Sequence, residues 1–217
     1  MGSEDLFKKR KARRLKDQQR KIGFCKSYDR VLIVCEGEQT EPLYFESLKQ
    51  EYDLSSTNVV VTDASSLGSD PMNIIKQAEK LYKKSQKENN AFDRVFCVFD
   101  KDQHSNYDMA VRKLSNTNGK FTAITSVPCF EYWFLLHFEY STKPFSSALA
   151  VISELKRHIP SYAKNNSGVF FALKDKMPIA IKNAEKVKAY ISKINTDNPS
   201  TKVVDLVKYL LELNKKQ

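Results

Sequence analysis

The sequence predicts an α/β fold, a mostly parallel four-stranded sheet flanked by helices, with a basic N-terminal arm and a C-terminal helical extension. Two observations carry this expectation. RVLIVC (30–35) and RVFCVFD (94–100) are continuous, β-rich apolar runs without alternation, which is how strands buried on both faces of a parallel sheet read. Strand-like and helix-like segments then alternate along the first half of the chain, as βαβ crossovers require.

In chain order, strand one is expected over 30–35. Pro42 then stands at the favoured first position of a helix over 42–52, with Leu43, Tyr44, Leu48 and Tyr52 at helical spacing. Val59, Val60 and Val61 form the second strand. Residues 65–70 read as a loop whose Asp70 caps a helix opening at Pro71 and running to Lys87. Strand three ends at Asp100, and a helix over 105–116 follows. FTAITS (121–126) is strand four, halted at Pro128. Beyond it, helices are expected over 130–140, 146–158, 178–195 and 200–214. The resulting division is an arm over 1–29, an α/β domain over 30–140 and a helical subdomain over 141–217 packed on the sheet. The aromatic run Phe130–Phe138 reads as core rather than as a base-stacking surface, and His137 and His158 as structural or surface residues.

At 217 residues the chain can bury a sizeable core. It carries no run approaching the ~18 apolar residues of a membrane span and no apolar secretory leader, so no membrane association and a cytoplasmic location are expected. Cys25, Cys35, Cys97 and Cys129 are scattered without a CxxC pair, a pattern of buried free thiols. Of the net charge of +10, residues 1–30 supply +7, with Lys8, Lys9, Arg10, Lys11, Arg13 and Arg14 at its centre. Such an arm attracts polyanions with a strong salt dependence, so nucleic acid is the expected partner.

Both apolar runs end in acid. The first gives Glu36-Gly37-Glu38 and then Glu41; the second gives Asp100-Lys101-Asp102. Open α/β sheets place ligands at the carboxyl ends of their strands, and two carboxylates at i and i+2 past a strand end can curl round one hard cation. Oxygen ligands of this kind suit Mg²⁺ or Mn²⁺. If the two strands are neighbours, Glu36, Glu41, Asp100 and Asp102 converge on one metal site. Lys101 and His104 flank it as accessory candidates for phosphate contact or proton transfer, although a lysine between two aspartates and a lone histidine are more often solvated or structural. Glu131, near the start of the aromatic helix, either joins the same crevice or serves its own helix N-terminus. Glu36, crowded by the aspartates, is expected to be the acid with the most raised pKa. Glu38 and Glu41 are expected to be held ionised by the helix dipole, with Glu38 pointing to solvent.

A strand ending in Glu-Gly, a following acid and a later strand ending in Asp-x-Asp resembles the Toprim fold. CEGEQTEPLYFESL (35–48), VFCVFDKDQH (95–104), PCFEYWFLLHFE (128–139), AIKNAEK (180–186) and NPSTKVVDLV (198–207) together resemble the RloB family of restriction-linked, abortive-infection-type proteins. The resemblance implies a Toprim-type, Mg²⁺-dependent nuclease acting on DNA or RNA in anti-phage defence, with a defence-operon protein as a further partner. It also implies an acid/base and metal role for Glu36, metal binding by Asp100 and Asp102, and a catalytic role for Glu41. A haloacid-dehalogenase-type phosphatase would need Asp-x-Asp on the first strand, and a receiver-like domain leaves the Glu-Gly turn and basic arm unexplained. The standing rival is a non-catalytic Toprim-like protein that binds nucleic acid or a defence partner.

Overall fold

A computed structural model describes residues 29–54, 59–64, 66, 68, 70–102, 104–194 and 196–215. The arm residues Lys8, Lys9, Arg10, Lys11, Arg13 and Arg14, and Cys25, lie outside the described residues. The described chain is a mixed α/β structure around one sheet. Its elements are β1 (Val31–Cys35), α1 (Thr40–Glu51), β2 (Val59–Asp63), α2 (Pro71–Lys87), β3 (Arg94–Asp100), α3 (Tyr107–Ser115), β4 (Phe121–Val127), α4 (Glu131–Leu135), α5 (Ala148–His158), α6 (Val169–Leu173), α7 (Met177–Ile191), β5 (Ser200–Thr201) and α8 (Val203–Lys215).

The sheet has five strands in the order β2-β1-β3-β4-β5, not four. The first four pair in parallel, and β5 pairs antiparallel with β4 through Ser126–Thr201 and Val127–Ser200. Residues 200–202, expected inside a helix, are instead drawn to the flank of β4, where the Lys202 N–H donates to the Thr125 carbonyl at 2.8 Å. The last helix therefore starts at Val203, where the Thr201 hydroxyl accepts the Val203 N–H at 3.2 Å.

Alternate residues of the buried strands face opposite layers. Val31, Ile33 and Cys35 pack with α1 and the C-terminal helices, in a cluster centred on Tyr44, Phe45, Phe130 and Trp133. Leu32 and Val34 pack with α2 and α3 against Ile74, Ile75, Ala78 and Ala110. The aromatic run is core as expected, and Cys35, Cys97 and Cys129 are buried free thiols. No helix among the described residues is long and apolar enough to cross a membrane.

Several boundaries move for identifiable reasons. Thr40 and Glu41 lead α1, so Pro42 sits third rather than first; the first four N–H groups of a helix lack intrahelical partners, so a proline anywhere in that turn forfeits no bond. The aromatic helix ends at Leu135 rather than about 140. Past it the chain tightens into three-residue steps, His137 N–H to Phe134 O at 3.1 Å and Phe138 N–H to Leu135 O at 2.9 Å. Asp70 caps α2 as its sequence suggests, accepting the Met72 N–H at 2.7 Å.

Candidate functional site

Strand order reverses direction between β1 and β3: the chain leaves β1 for β2 on one side and arrives at β3 on the other. A crevice opens at the carboxyl ends of the strands at such a switch point, and β1 and β3 are the two acid-tipped strands. The Glu36 N–H continues the ladder to the Val98 carbonyl at 2.9 Å. Its side chain folds across the end of β3, where one carboxylate oxygen accepts the Asp100 N–H at 2.9 Å and the other pairs with His104 Nε2 at 2.9 Å. Burial raises the Glu36 pKa even though these two partners favour its charged form.

Gly37 explains how Glu41 reaches the same place. A Cβ on residue 37 would stand 2.7 Å from a Glu41 carboxylate oxygen, so a larger residue would push the carboxylate aside and glycine lets it lie against the turn. Glu41 is 7% exposed. Burial, with the Glu131 and Glu36 carboxylates behind it, pushes its pKa up to about 7. Asp100 is raised well above the carboxylate range by burial and by Glu41, Glu131 and Glu36, against a stabilising contact from the Phe130 backbone. The expectation that Glu36 is the most shifted acid, and that the helix dipole keeps Glu41 ionised, is therefore corrected. Desolvation of Glu41 and Asp100 outweighs a dipole that acts on a side chain no longer in water.

Glu131 is 1% exposed and turned into this crevice rather than serving only its own short helix. It accepts from the Tyr162 hydroxyl at 3.0 Å and stands 3.5 Å from Lys164 Nζ. The backbone of Lys164 is held by the Thr40 hydroxyl, which donates to its carbonyl at 3.1 Å. Burial works against the Lys164 charge, yet the field of Glu131, and further off of Asp100 and Glu41, raises its pKa. Tyr162 and Lys164 were not singled out from the sequence. They lie in an irregular loop thirty-odd positions past Glu131, with no periodicity or motif to mark them.

The remaining candidates face outward, although the Asp102 charge still adds to the field that raises Glu36. Asp102 is exposed, with φ of +29°, and lines an open groove with Lys101, Pro128, Ser146, Ser147 and Asp197. Lys101 is turned from the acids and paired with Asp197 at 2.6 Å. Glu38 is exposed. Glu36, Glu41, Asp100 and Glu131 are thus brought together, His104 touches the group, and Asp102 and Lys101 face outward.

A family model described as RloB-like protein matches residues 31–210. The chain belongs to the RloB-like family. Comparison with curated proteins and with solved structures returns no match.

The gathered acids supply an all-oxygen donor set, which in kind suits a hard divalent cation. Their positions do not complete a cage: among the described residues, no three His, Cys, Asp or Glu side chains are grouped closely enough to hold an ion. Both Glu36 oxygens are already engaged, and Glu131 is committed to Tyr162 and Lys164. The raised pKa values record the same carboxylates as an electrostatic cluster. The two observations fit together if the acids share one crevice while their oxygens point at separate partners.

Proposed function

We propose that the chain is a divalent-metal-dependent phosphodiesterase acting on DNA or RNA, built on a Toprim-like sheet and serving in anti-phage defence. The observation that carries this reading is the gathering of Glu41, Asp100 and Glu131, with Glu36 beside them, at the β1/β3 switch point. A cluster of buried carboxylates holds more negative charge than burial tolerates, and protons or a hard cation relieve it. Asp100, Glu41 and Glu36 are the acids that would hold Mg²⁺ or Mn²⁺ once their oxygens swing from their present partners to a common point, and the ion when bound would supply charge neutralisation at phosphate and a more acidic water.

The chain's own groups supply the rest. Glu36 and His104 form a hydrogen-bonded pair that can hold and pass a proton. Lys164 sets a cation beside Glu131, where it can meet a phosphate oxygen, and Thr40 and Tyr162 fix the loop that bears it. Asp102 and Lys101 line the adjoining open groove, on the approach to the acids. Membership of the RloB-like family and the switch-point placement support the Toprim-like and defence parts of the reading.

The divergent carboxylate oxygens favour a second reading, a non-catalytic nucleic-acid- or partner-binding protein of a defence operon. One experiment separates the two: incubation of the chain and of an Asp100→Asn variant with single- and double-stranded DNA and RNA in Mg²⁺, in Mn²⁺ and in EDTA. Cleavage that needs the ion and disappears in the variant is the expected result. Binding without cleavage in either ion leaves the second reading standing.

A further inference from the structure

The α2 helix carries a feature that the site does not use. Lys76, Lys80, Lys83, Lys84 and Lys87 are all exposed and, with Glu79, line one shallow groove. Their spacing puts them on a single helix face over roughly 16 Å. Glu79 is drawn off to Lys113 at 2.8 Å, and Lys80, Lys83 and Lys87 have no ion-pair partner among the described residues.

Helix physics does not ask for this pattern. Lys84 and Lys87 lie in the last turn, where cations complement the dipole. Lys76 and Lys80 lie in the first two-thirds of the helix and gain nothing from that term. The pairs 76/80, 80/84 and 83/87 set like charges at i, i+4, where they repel. A face serving solubility alone would intersperse acids at those positions.

The groove is also aimed. The N-cap of α2, Asp70, accepts a hydrogen bond from Asn106 Nδ2 at 2.6 Å and lies within the field of His104, the residue bonded to Glu36. Because α2 runs back from the carboxyl edge of the sheet, the lysines form a positive track along a helix whose N-terminus lies at that edge. We infer that this lysine face of α2 is a nucleic-acid docking surface, its ammonium groups contacting successive phosphates of a strand that extends to the acidic crevice. Such a groove follows a backbone without reading its bases. The direction toward the crevice rests on the nuclease reading, whereas the binding itself does not.

The test is salt-dependent binding of fluorescent DNA and RNA, single- and double-stranded, in EDTA so that no hydrolysis intervenes. The full chain is compared with Lys80→Gln/Lys83→Gln/Lys87→Gln and with a control of equal charge loss on the opposite sheet layer, Lys182→Gln/Lys186→Gln/Lys193→Gln. Loss of three phosphate contacts should lower the slope of log K against log salt by between about 2 and about 3 in the α2 variant. The control should keep the parent slope. No drop in the α2 variant, an equal drop in both, or binding of anionic vesicles in place of nucleic acid overturns the assignment. If the slope difference holds while Mg²⁺ yields no cleavage, the hydrolytic reading fails and the docking surface stands.

Discussion

His137 and Glu41 are both titratable, both closed off from water and both on the same layer of the sheet, yet their surroundings treat them in opposite ways. His137 is solitary. Its Nδ1 pairs with the Trp133 carbonyl at 3.0 Å, its ring meets the Trp133 ring edge-on, and its Nε2 has no partner among the described residues. Burial pushes its pKa down to about 4, so it is neutral at physiological pH. Glu41 is buried among other acids, and its pKa climbs to about 7, where a proton or a cation decides its charge. Burial is the largest cause of both shifts, with a like charge, Lys176, adding to that of His137; the difference is that Glu41 is buried among the acids Glu131 and Glu36 and is left poised near neutrality, and such clusters mark functional sites.

The largest test of this contrast is at Asp100. Asp100→Asn removes one charge from the cluster and should reduce ion-dependent cleavage by about a thousandfold or more while circular dichroism stays that of the parent. Asp102→Asn, on the exposed side, should cost much less. Equal losses for the two variants would mean that the outward position of Asp102 does not describe the working site.

Stability against pH should show the two buried groups with opposite signs. Glu41 has a raised folded pKa, so its contribution is fully present below about 4.5 and is lost as pH rises through about 7. His137 has a lowered folded pKa, so its contribution is full above about 6.5 and is lost as pH falls toward 4. Each is worth up to roughly 3 kcal/mol. Thermal melts without metal should therefore fall off on both sides. Glu41→Gln should flatten the alkaline side and His137→Leu the acid side, and a variant that flattens the wrong limb breaks the comparison.

Smaller effects should follow within the turn. Glu36→Gln keeps the shape but loses the proton-holding partner of His104, and should slow the chemical step about a hundredfold with little change in substrate affinity. Paired rate and binding measurements distinguish this from a loss of affinity. Glu38→Gln should change stability and cleavage hardly at all, within about 0.5 kcal/mol. A damaging Glu38→Gln would show that the solvent-facing and crevice-facing acids of the turn have been exchanged.

The contrast also explains which features the sequence made legible. β1 and β3 announce themselves through five unbroken apolar residues ending in acid, whereas their adjacency stays conditional in the sequence and is set by the β2-β1-β3 order of the sheet. Asp70-Pro71 reads as a helix start because capping chemistry is local. β5 is invisible to such reasoning: two residues, Ser200 and Thr201, have no period, and only the flank of β4 makes them a strand. Lys164 and Tyr162 are hidden for a similar reason, since a loop's position over a crevice is set by tertiary contacts such as Thr40 to Lys164. The dipole argument for Glu41 fails because it is local, whereas desolvation depends on Glu131 and the closed turn.

The β4–β5 pairing has a consequence for how the molecule is made. Ser126 and Thr201, bonded side chain to side chain at 3.0 Å, are 75 positions apart, and β5 adds only two residue pairs to the sheet, Ser126–Thr201 and Val127–Ser200. A long loop closed for so few residue pairs recovers little of its entropic cost from the ladder, so the flank of β4 should stay open in any folding intermediate, as an edge available to other chains. Pulse-labelled refolding should accordingly protect the Lys202 amide, bonded to Thr125, after the Glu36 amide, bonded to Val98. Ser126 lies opposite Asp100 in the β3–β4 register. The strand beside the central acid is thus among the last to be squared up, and the chain acquires its body before its site.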